Sequence, residues 1–554
     1  MIMSVEIREK SFGHKSLYEN LYFDVQEGEK IGLIGRNGTG KSTLLNIITG
    51  EDKDYDGEVN IKRGTVVVNS RQEHQVHESK TVLEYIQGDL PEYDFLIKII
   101  DSYPLTTDNS QNKLQEFTDA IERFSQLGYY QIEDEIKRSF KDYQIDSDKL
   151  HRPFQSLSGG ERRMVELIKV QRSRGHLALI DEPTNHMDYV AKSEFIKWLQ
   201  AAKESVVVIT HDRDVLTIVD RIIEIRDNRC FSFKGNYNAY LKTNTNQVSN
   251  QVNEYELSQR RLINLEDDLI RFRKLKEKAR DPGTIHRFKS QELKTKSLIK
   301  TLRATPKPSF WIDQESASGM NDKLMMSYEK HKAQNIKLGS RKKIDHNSSQ
   351  QIIKIDNLSL GYQDEPLFDG ISFIVRTGER LRLHGRNGTG KSTIVKAIMS
   401  QINNTPLQSK CFKGSIELDQ AVKVGLYEQE INHRYLTMTL NKAIEELLRA
   451  KGLPISDQRI KQLMSDYLFN PMADGLIEVS KLSGGQKARI QLISMLADEP
   501  QLLILDEPTN HLDLPSIEEL ENTLKDYHGA IIYISHDSFF SKKMGGASIT
   551  IEPL

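Results

Sequence analysis

Two nine-residue segments carry the groups best suited to chemistry: Gly35-Arg36-Asn37-Gly38-Thr39-Gly40-Lys41-Ser42-Thr43 and Gly385-Arg386-Asn387-Gly388-Thr389-Gly390-Lys391-Ser392-Thr393. Each fits GxxxxGK[ST], a pattern in which glycines let backbone N–H groups converge on phosphate oxygens and a following helix N-terminus adds a favourable dipole. Lys41 and Lys391 are expected to reach the outer phosphates, and Ser42 and Ser392 to hold Mg²⁺. A second pair follows each loop: Leu179-Ile180-Asp181-Glu182-Pro183-Thr184-Asn185-His186 returns as Ile504-Leu505-Asp506-Glu507-Pro508-Thr509-Asn510-His511. Asp181 and Asp506 are expected to support Mg²⁺, and Glu182 and Glu507 to polarise an attacking water. Seen alone, an acidic pair after a strand is more often a solvated turn; recurrence downstream of a phosphate loop reverses that reading. The chemistry implied is attack of water on the outer phosphate of a bound nucleotide.

These residues need elements to hold them. Lys30-Ile31-Gly32-Leu33-Ile34 reads as a strand running into the first loop, and Leu44, Leu45, Ile47 and Ile48 recur at helical spacing after it. The runs Leu177 to Ile180 and Leu502 to Leu505 read as buried parallel strands that deliver their carboxylates to the edge where open α/β sheets bind ligands. Order and spacing of the motifs repeat, so the chain holds a duplicated α/β domain at 1–243 and 350–554, the first with a helical insertion at about 95–135. Between them, 244–349 is far longer than a loop of about 4 to 6 residues and needs structure of its own. Leu262, Leu265, Leu269 and Phe272 mark one helix, expected from about Gln247 to Arg280, and Leu293, Leu298 and Leu302 mark a second. The break at Asp281-Pro282-Gly283-Thr284 makes the pair an antiparallel hairpin.

Net charge is −2 overall, which by itself says nothing in favour of a nucleic-acid partner, but its distribution is uneven. Arg271 to Phe310 carries about +10, and Arg271, Arg273, Lys274, Lys276, Lys278, Arg280, Arg287 and Lys289 gather around the proposed tip. Such a segment can neutralise several RNA phosphates, or can simply be a solvated helical face. Phe310-Trp311 could stack on bases or anchor the linker to a domain. No run of about 18 apolar residues occurs, so no membrane domain is expected. The start lacks the basic head and apolar core of a signal peptide, and a cytoplasmic location is expected. Cys230 and Cys411 have no CxxC or CxxH neighbour, so neither a disulfide framework nor a zinc site is expected.

With Leu157-Ser158-Gly159-Gly160-Glu161 and Leu482-Ser483-Gly484-Gly485-Gln486 between loop and acidic pair, the chain resembles the ATP-binding cassette superfamily. The resemblance implies two cassettes closing face to face as an intramolecular pair in a monomer. Ser158, Gly159 and Gly160 would then cap the γ-phosphate of the ATP held by Lys391, and Ser483, Gly484 and Gly485 that of the ATP held by Lys41. It also implies that Gln72 and Gln429 contact Mg²⁺, that His211 and His536 are switch histidines, that Asp188 and Asp513 mark the D-loop, and that Phe12 and Tyr362 stack on adenine, where core packing is the alternative for the two aromatics.

Two cassettes on one chain, Asp-Glu-Pro-Thr-Asn-His in both and a long charged linker resemble the ABC-F proteins. That family implies a ribosome partner, with the linker reaching rRNA and P-site tRNA near the peptidyl-transferase centre. Antibiotic resistance by ribosome protection is the preferred reading and a general translation factor the alternative. The rival of another class is a fused pair of transporter ATPase domains; DNA is not expected, because the zinc-ligand cysteines of cassette-type DNA-repair ATPases are missing.

Overall fold

The computed structural model describes residues 1–12, 15–70, 80–103, 111–185, 187–278, 280–303, 350–363, 365–403, 405–419, 422–428 and 431–552. The chain divides into two compact units, Met1–Tyr237 with Asn335–Leu554, and Asn238–Gln334. Gln72, Gln429, His186 and the Phe310-Trp311 pair lie outside the described residues.

In the first cassette a six-stranded sheet runs in the order Val67–Asn69, Leu177–Asp181, Ser205–Ile209, Lys30–Gly35, Arg221–Arg226, Arg229–Lys234. All neighbours are parallel except the last pair. The three central strands are apolar because helices cover both faces, so Leu177–Asp181 and Ser205–Ile209 are buried throughout. This order sets the C-terminal ends of three adjacent strands side by side, and those ends lead into Gly35, Asp181-Glu182 and His211. The second cassette repeats it with Val424–Tyr427, Leu502–Asp506, Ala530–Ile534, Arg380–Gly385 and Ala547–Ile551, all parallel. An antiparallel sheet accompanies each, built on Met3–Phe12 in one and Gln351–Tyr362 in the other.

Between the acidic strand's neighbour and the Ser158 turn, the described residues of the first cassette include four α-helices, Val82–Gly88, Tyr93–Ser102, Gln111–Gln126 and Ile132–Asp142. The corresponding stretch of the second cassette has Leu440–Ala450 and Asp457–Asp466 after a single turn at His433–Leu436. The pair Tyr93–Ser102 and Gln111–Gln126 is therefore the extra segment, held by stacking of Tyr103 on Phe117 at 4.2 Å and by Arg123 on Glu92 at 2.7 Å.

Among its described residues the linker unit has two helices. The first is Tyr237–Lys278, beginning ten residues before the expected Gln247, and the second is Pro282–Arg303. Pro282 and Gly283 open the second helix instead of breaking the first: proline's missing N–H costs nothing at a helix start, and Asp281 Oδ2 accepts from Thr284 N at 2.8 Å. Leu262, Leu265, Leu269 and Phe272 form a half-buried stripe. The second stripe differs from expectation. Leu293 and Leu298 are exposed, whereas Glu292, Thr295 and Ile299 are buried. The physical reason is spacing: five residues turn a helix well past one face, and only steps of three and four return to it.

Glu292 sits where the helices meet and accepts from Lys276 Nζ (2.6 Å), Lys296 Nζ (2.8 Å) and Arg273 Nε (3.3 Å). Hydrogen bonds from these cations hold its carboxyl down at about 2. Because the folded value is depressed, the clamp's contribution is fully present above pH 4.5 and fades as pH falls toward 2. Glu292→Gln is expected to raise amide hydrogen exchange in both linker helices around the three cations at neutral pH, and to erase the difference between wild type and variant as the pH falls toward 2; exchange read by mass spectrometry checks it.

Candidate functional site

Each phosphate loop forms where a buried strand must turn sharply into a helix. Gly38 and Gly40 take φ of 83° and 92°, and Gly388 and Gly390 take 82° and 94°, a region open mainly to glycine. A Cβ on Gly40 would strike the Tyr18 hydroxyl at 2.5 Å, and one on Gly390 would strike the Phe368 ring at 2.7 Å, so each loop lies directly on an aromatic floor. Lys41, Ser42 and Thr43 open the helix Lys41–Thr49, whose N-cap Gly40 supplies no side-chain acceptor. Its first-turn N–H groups are thereby left for an anion. Lys391, Ser392 and Thr393 open Lys391–Asn403 in the same way.

The acidic pairs end Leu177–Asp181 and Leu502–Asp506. Glu182 and Glu507 adopt φ of 45° and 50° although neither is glycine. Such a conformation costs on the order of 1 kcal/mol or more and recurs at active sites. Here the backbone around it is fixed: Glu182 N donates to Ile209 O at 2.8 Å, Glu507 N to Ile534 O at 3.0 Å, and Arg163 donates to the carbonyls of Asp181 and Glu182. Burial, reinforced by the neighbouring aspartate, pushes the carboxyls of Glu182 and Glu507 up to about 8 and about 7. A carboxylate with a pKa near neutrality is a much stronger proton acceptor than an ordinary one. His211 Nε2 lies 3.6 Å from Glu182 Oε1, and His536 Nε2 lies 3.5 Å from Glu507 Oε1. Burial, with Lys41 and Lys391 respectively next, lowers both imidazoles to about 3. They are neutral, and none of their ring nitrogens has a hydrogen-bond partner within the protein.

The two cassettes meet through these same loops. Asn37 N donates to Asp513 Oδ2 at 3.1 Å and Asn37 Nδ2 to His511 O at 2.8 Å, while Asn387 N donates to Asp188 Oδ2 at 3.1 Å. Asp188 and Asp513 also cap the helices that follow them, so each D-loop is rigid where it touches the opposite phosphate loop. The Ser483 turn lies over the first loop: a Cβ on Gly485 would come within 2.0 Å of Asn37 Nδ2. Ser158 and Ser483 each form a capping box, with Glu161 and Gln486. The sequence reading left the whole turn free for an anion; the box consumes the serine N–H, so the glycine N–H groups remain.

A cavity of about 1300 Å³ is lined by Gly38, Gly40, Lys41, Ser42, Thr43, Ser158, Gly159, Gly160, Asp181, Glu182 and His211 together with Gly388, Gly390, Lys391, Ser392, Thr393, Ser483, Gly484, Gly485, Asp506, Glu507 and His536. Asn37, Asn387 and Tyr362 line it too. Tyr362 is 47% exposed, which removes core packing as its reading, while for Phe12 only the backbone, in Met3–Phe12, is described. Gly35 and Gly385 end their strands just beneath the loops.

These residues fit Mg-ATP. Lysines with burial-lowered pKa, uncapped N–H groups and partnerless histidine nitrogens all call for phosphate oxygens. Ser392 Oγ already donates to Asp506 Oδ2 at 2.7 Å, a compact oxygen pair. Among the described residues no group of three His, Cys, Asp or Glu gathers as a metal cage, and Mg²⁺ needs none, because it keeps several waters and binds one or two carboxylates beside phosphate.

The family profile described as ABC transporter matches residues 18–185 and 368–510, more than half of the chain. The chain belongs to the ABC transporter family. Cassettes of this family are ATPase domains that bind ATP. Relatives fit the narrower ABC-F resemblance. The ribosome protection protein VmlR of Bacillus subtilis is 27% identical over 97% of this chain and 84% of its own length. ABC transporter F family member 5 of Arabidopsis thaliana is 28% identical over 98% and 74%. Among solved structures, the archaeal ribosome recycling factor aABCE1, in complex with the archaeal ribosomal stalk protein aP1, matches with a TM-score of 0.54 at 16% identity over 98% of this chain and 86% of that one; it shares the tandem-cassette fold. Among the described residues no helix is long and apolar enough to cross a membrane.

Sequence reasoning missed Arg163, Ser70, whose hydroxyl accepts from Asp181 N at 3.1 Å, and the cations Lys192 and Arg213. Subtracting one repeat from the other would have exposed three of them, since Arg163, Lys192 and Arg213 stand where the second copy has Ala488, Ile517 and Ser538.

Two outcomes follow for the site. Gly485→Ala must displace Asn37 from His511, and is expected to lower ATP hydrolysis at least tenfold, by order of magnitude, with little change in the melting temperature of the nucleotide-free chain. Because both switch histidines have depressed values, the unfolded chain binds more protons between pH 6.5 and 3, and stability falls as pH drops through that window. Replacing His211 and His536 by Gln should flatten that slope in denaturant titrations of the nucleotide-free chain.

Proposed function

We propose that the chain is a ribosome-binding ATPase of the ABC-F type that closes on two ATP molecules and opens after hydrolysis. The observation that carries the reading is the reciprocal pair of contacts, Asn37 with Asp513 and Asn387 with Asp188, which leaves a phosphate loop from one cassette facing the Ser-Gly-Gly turn of the other.

In this reading Lys41 and Lys391 bind the outer phosphates, and the N–H groups of Gly159, Gly160, Gly484 and Gly485 close over the γ-phosphate from across the interface. Glu182 and Glu507 each accept a proton from the attacking water at a carboxylate oxygen. Neutral His211 and His536 each offer one N–H to a γ-phosphate oxygen, which suits their burial because no second charge has to be desolvated. Ser42, Gln72 and Asp181, and Ser392, Gln429 and Asp506, would hold Mg²⁺, which would neutralise phosphate charge. Tyr362 and Phe12 face the adenines.

The partner is the ribosome, a role carried by the names of the relatives and supported by the linker's charge. Arg271, Lys274, Lys278, Arg280, Arg287 and Lys289 are exposed at the hairpin end, whereas Arg273 and Lys276 are engaged by Glu292. The linker contacts rRNA and P-site tRNA through these cations and protects the ribosome against antibiotics. A general translation factor is the second reading, favoured by the extra helices Tyr93–Ser102 and Gln111–Gln126.

Replacing Glu182 and Glu507 together by Gln is expected to trap an ATP-loaded form that co-sediments with ribosomes far better than wild type does, with a signal that falls steeply as salt rises. Co-sedimentation no better than wild type in ATP would sink the clamp. Inhibitory concentrations for lincosamides, pleuromutilins, streptogramins, phenicols and macrolides in a susceptible bacterium expressing the chain separate the two roles: a raised value marks protection and a flat panel marks the translation factor.

A further inference from the structure

Lys192 lies on the helix Tyr189–Ala201, four residues past Asp188, and is only 6% exposed. Its ammonium donates to Asp212 Oδ2 at 2.8 Å and Asp214 Oδ2 at 2.5 Å within its own cassette. The third contact crosses the interface, to His536 O at 3.3 Å. His536 N in turn donates to Glu507 Oε2 at 3.3 Å, so the backbone of one residue joins the ammonium to the carboxylate. Two anions flank the lysine and keep it charged, which makes it a fixed donor instead of a mobile one. The N-cap of the same helix end also reaches this site, because Asp188 accepts from Asn387 N in the Lys391 loop.

The other site has no such brace. Ile517 occupies the matching position, four residues past the cap Asp513, is 2% exposed, and carries no donor for the carbonyl of His211. Arg213 adds to the same asymmetry: it donates to Asp537, the residue after His536, at 3.1 Å, and its counterpart is Ser538.

We propose that Lys192 is a positioning residue for the site of Lys391, holding His536, and through it Glu507, from the opposite cassette. The inference rests on the ATPase reading above and goes beyond it in making the two sites unequal: the site of Lys391 is completed by a side chain of the first cassette, and that of Lys41 is not.

Steady-state ATP hydrolysis by the full-length chain tests it with Lys192→Met, Lys192→Arg and Ile517→Met. Lys192→Met is expected to lower kcat about tenfold with KM moved less than about threefold, because a misplaced switch loop affects the reaction more than binding. Lys192→Arg should restore most of the rate, and Ile517→Met should stay within about twofold of wild type. Added to His536→Ala, Lys192→Met should cost little more; added to His211→Ala, it should cost its full factor. The proposal is overturned if Lys192→Met keeps the wild-type kcat, if Arg and Met lose the same rate, if Ile517→Met loses as much, or if the two histidine backgrounds respond alike. A wild-type chain without ATP hydrolysis would overturn the ATPase reading itself, and this inference with it.

Discussion

Everything in the larger unit is arranged around a face that neither cassette can satisfy alone. Lys41 and Lys391 are buried, and burial lowers their pKa against the pull of Glu182 and Asp513 in one case and Glu507 and Asp188 in the other. In each list one of the two named carboxylates belongs to the opposite cassette. Taking such charges out of water costs several kcal/mol per ion unless partners replace the lost hydration. The D-loop aspartates do this for the loop backbones, and the carbonyls of Gly35, Arg36, Gly385 and Arg386 accept from the lysines. Each cassette by itself therefore presents only half of the face, because the aspartate that meets each loop comes from the other cassette.

The same constraint explains the strained glutamates. In both copies the residue after the strand-end aspartate takes a left-handed backbone, although glycine would fit without strain. Each glutamate stands at the end of a buried strand, beside His211 or His536, with its N–H bonded to the neighbouring strand. The cost is carried by the parallel sheet, whose central strands are wholly buried and cannot relax. A raised carboxyl pKa and a neutral imidazole are two results of one cause, the exclusion of water from this edge.

Against this twofold plan, the copies differ in charged groups at the interface. Glu521, fully buried, accepts from Arg213 across the interface and from Lys543 at 3.0 Å in its own cassette, and Ser538 Oγ donates to Asp214 Oδ1 at 2.5 Å. Losing one partner of such a buried network costs far more than an exposed pair would, of order 3 to 5 kcal/mol. The closed arrangement is thus specified by contacts that are not repeated by the internal symmetry, which fixes one register between cassettes with nearly identical motifs.

The sequence alone determined the chemistry and its duplication, because a phosphate loop, an acidic strand end and a Ser-Gly-Gly turn are short local patterns whose residue types are dictated by backbone geometry. It also determined that the linker is a basic helical hairpin, though it misplaced the buried stripe at Leu293 and Leu298 and the start of the first helix. Tertiary structure alone decided which groups meet across the interface: Asn37 with Asp513, Lys192 with His536 and Arg213 with Glu521 are separated by more than 300 residues, and no local pattern encodes such a pairing. It decided the proton states as well, since Glu182, Glu507, His211 and His536 owe their shifted values to burial, and burial is a property of the assembled fold and not of the residue type.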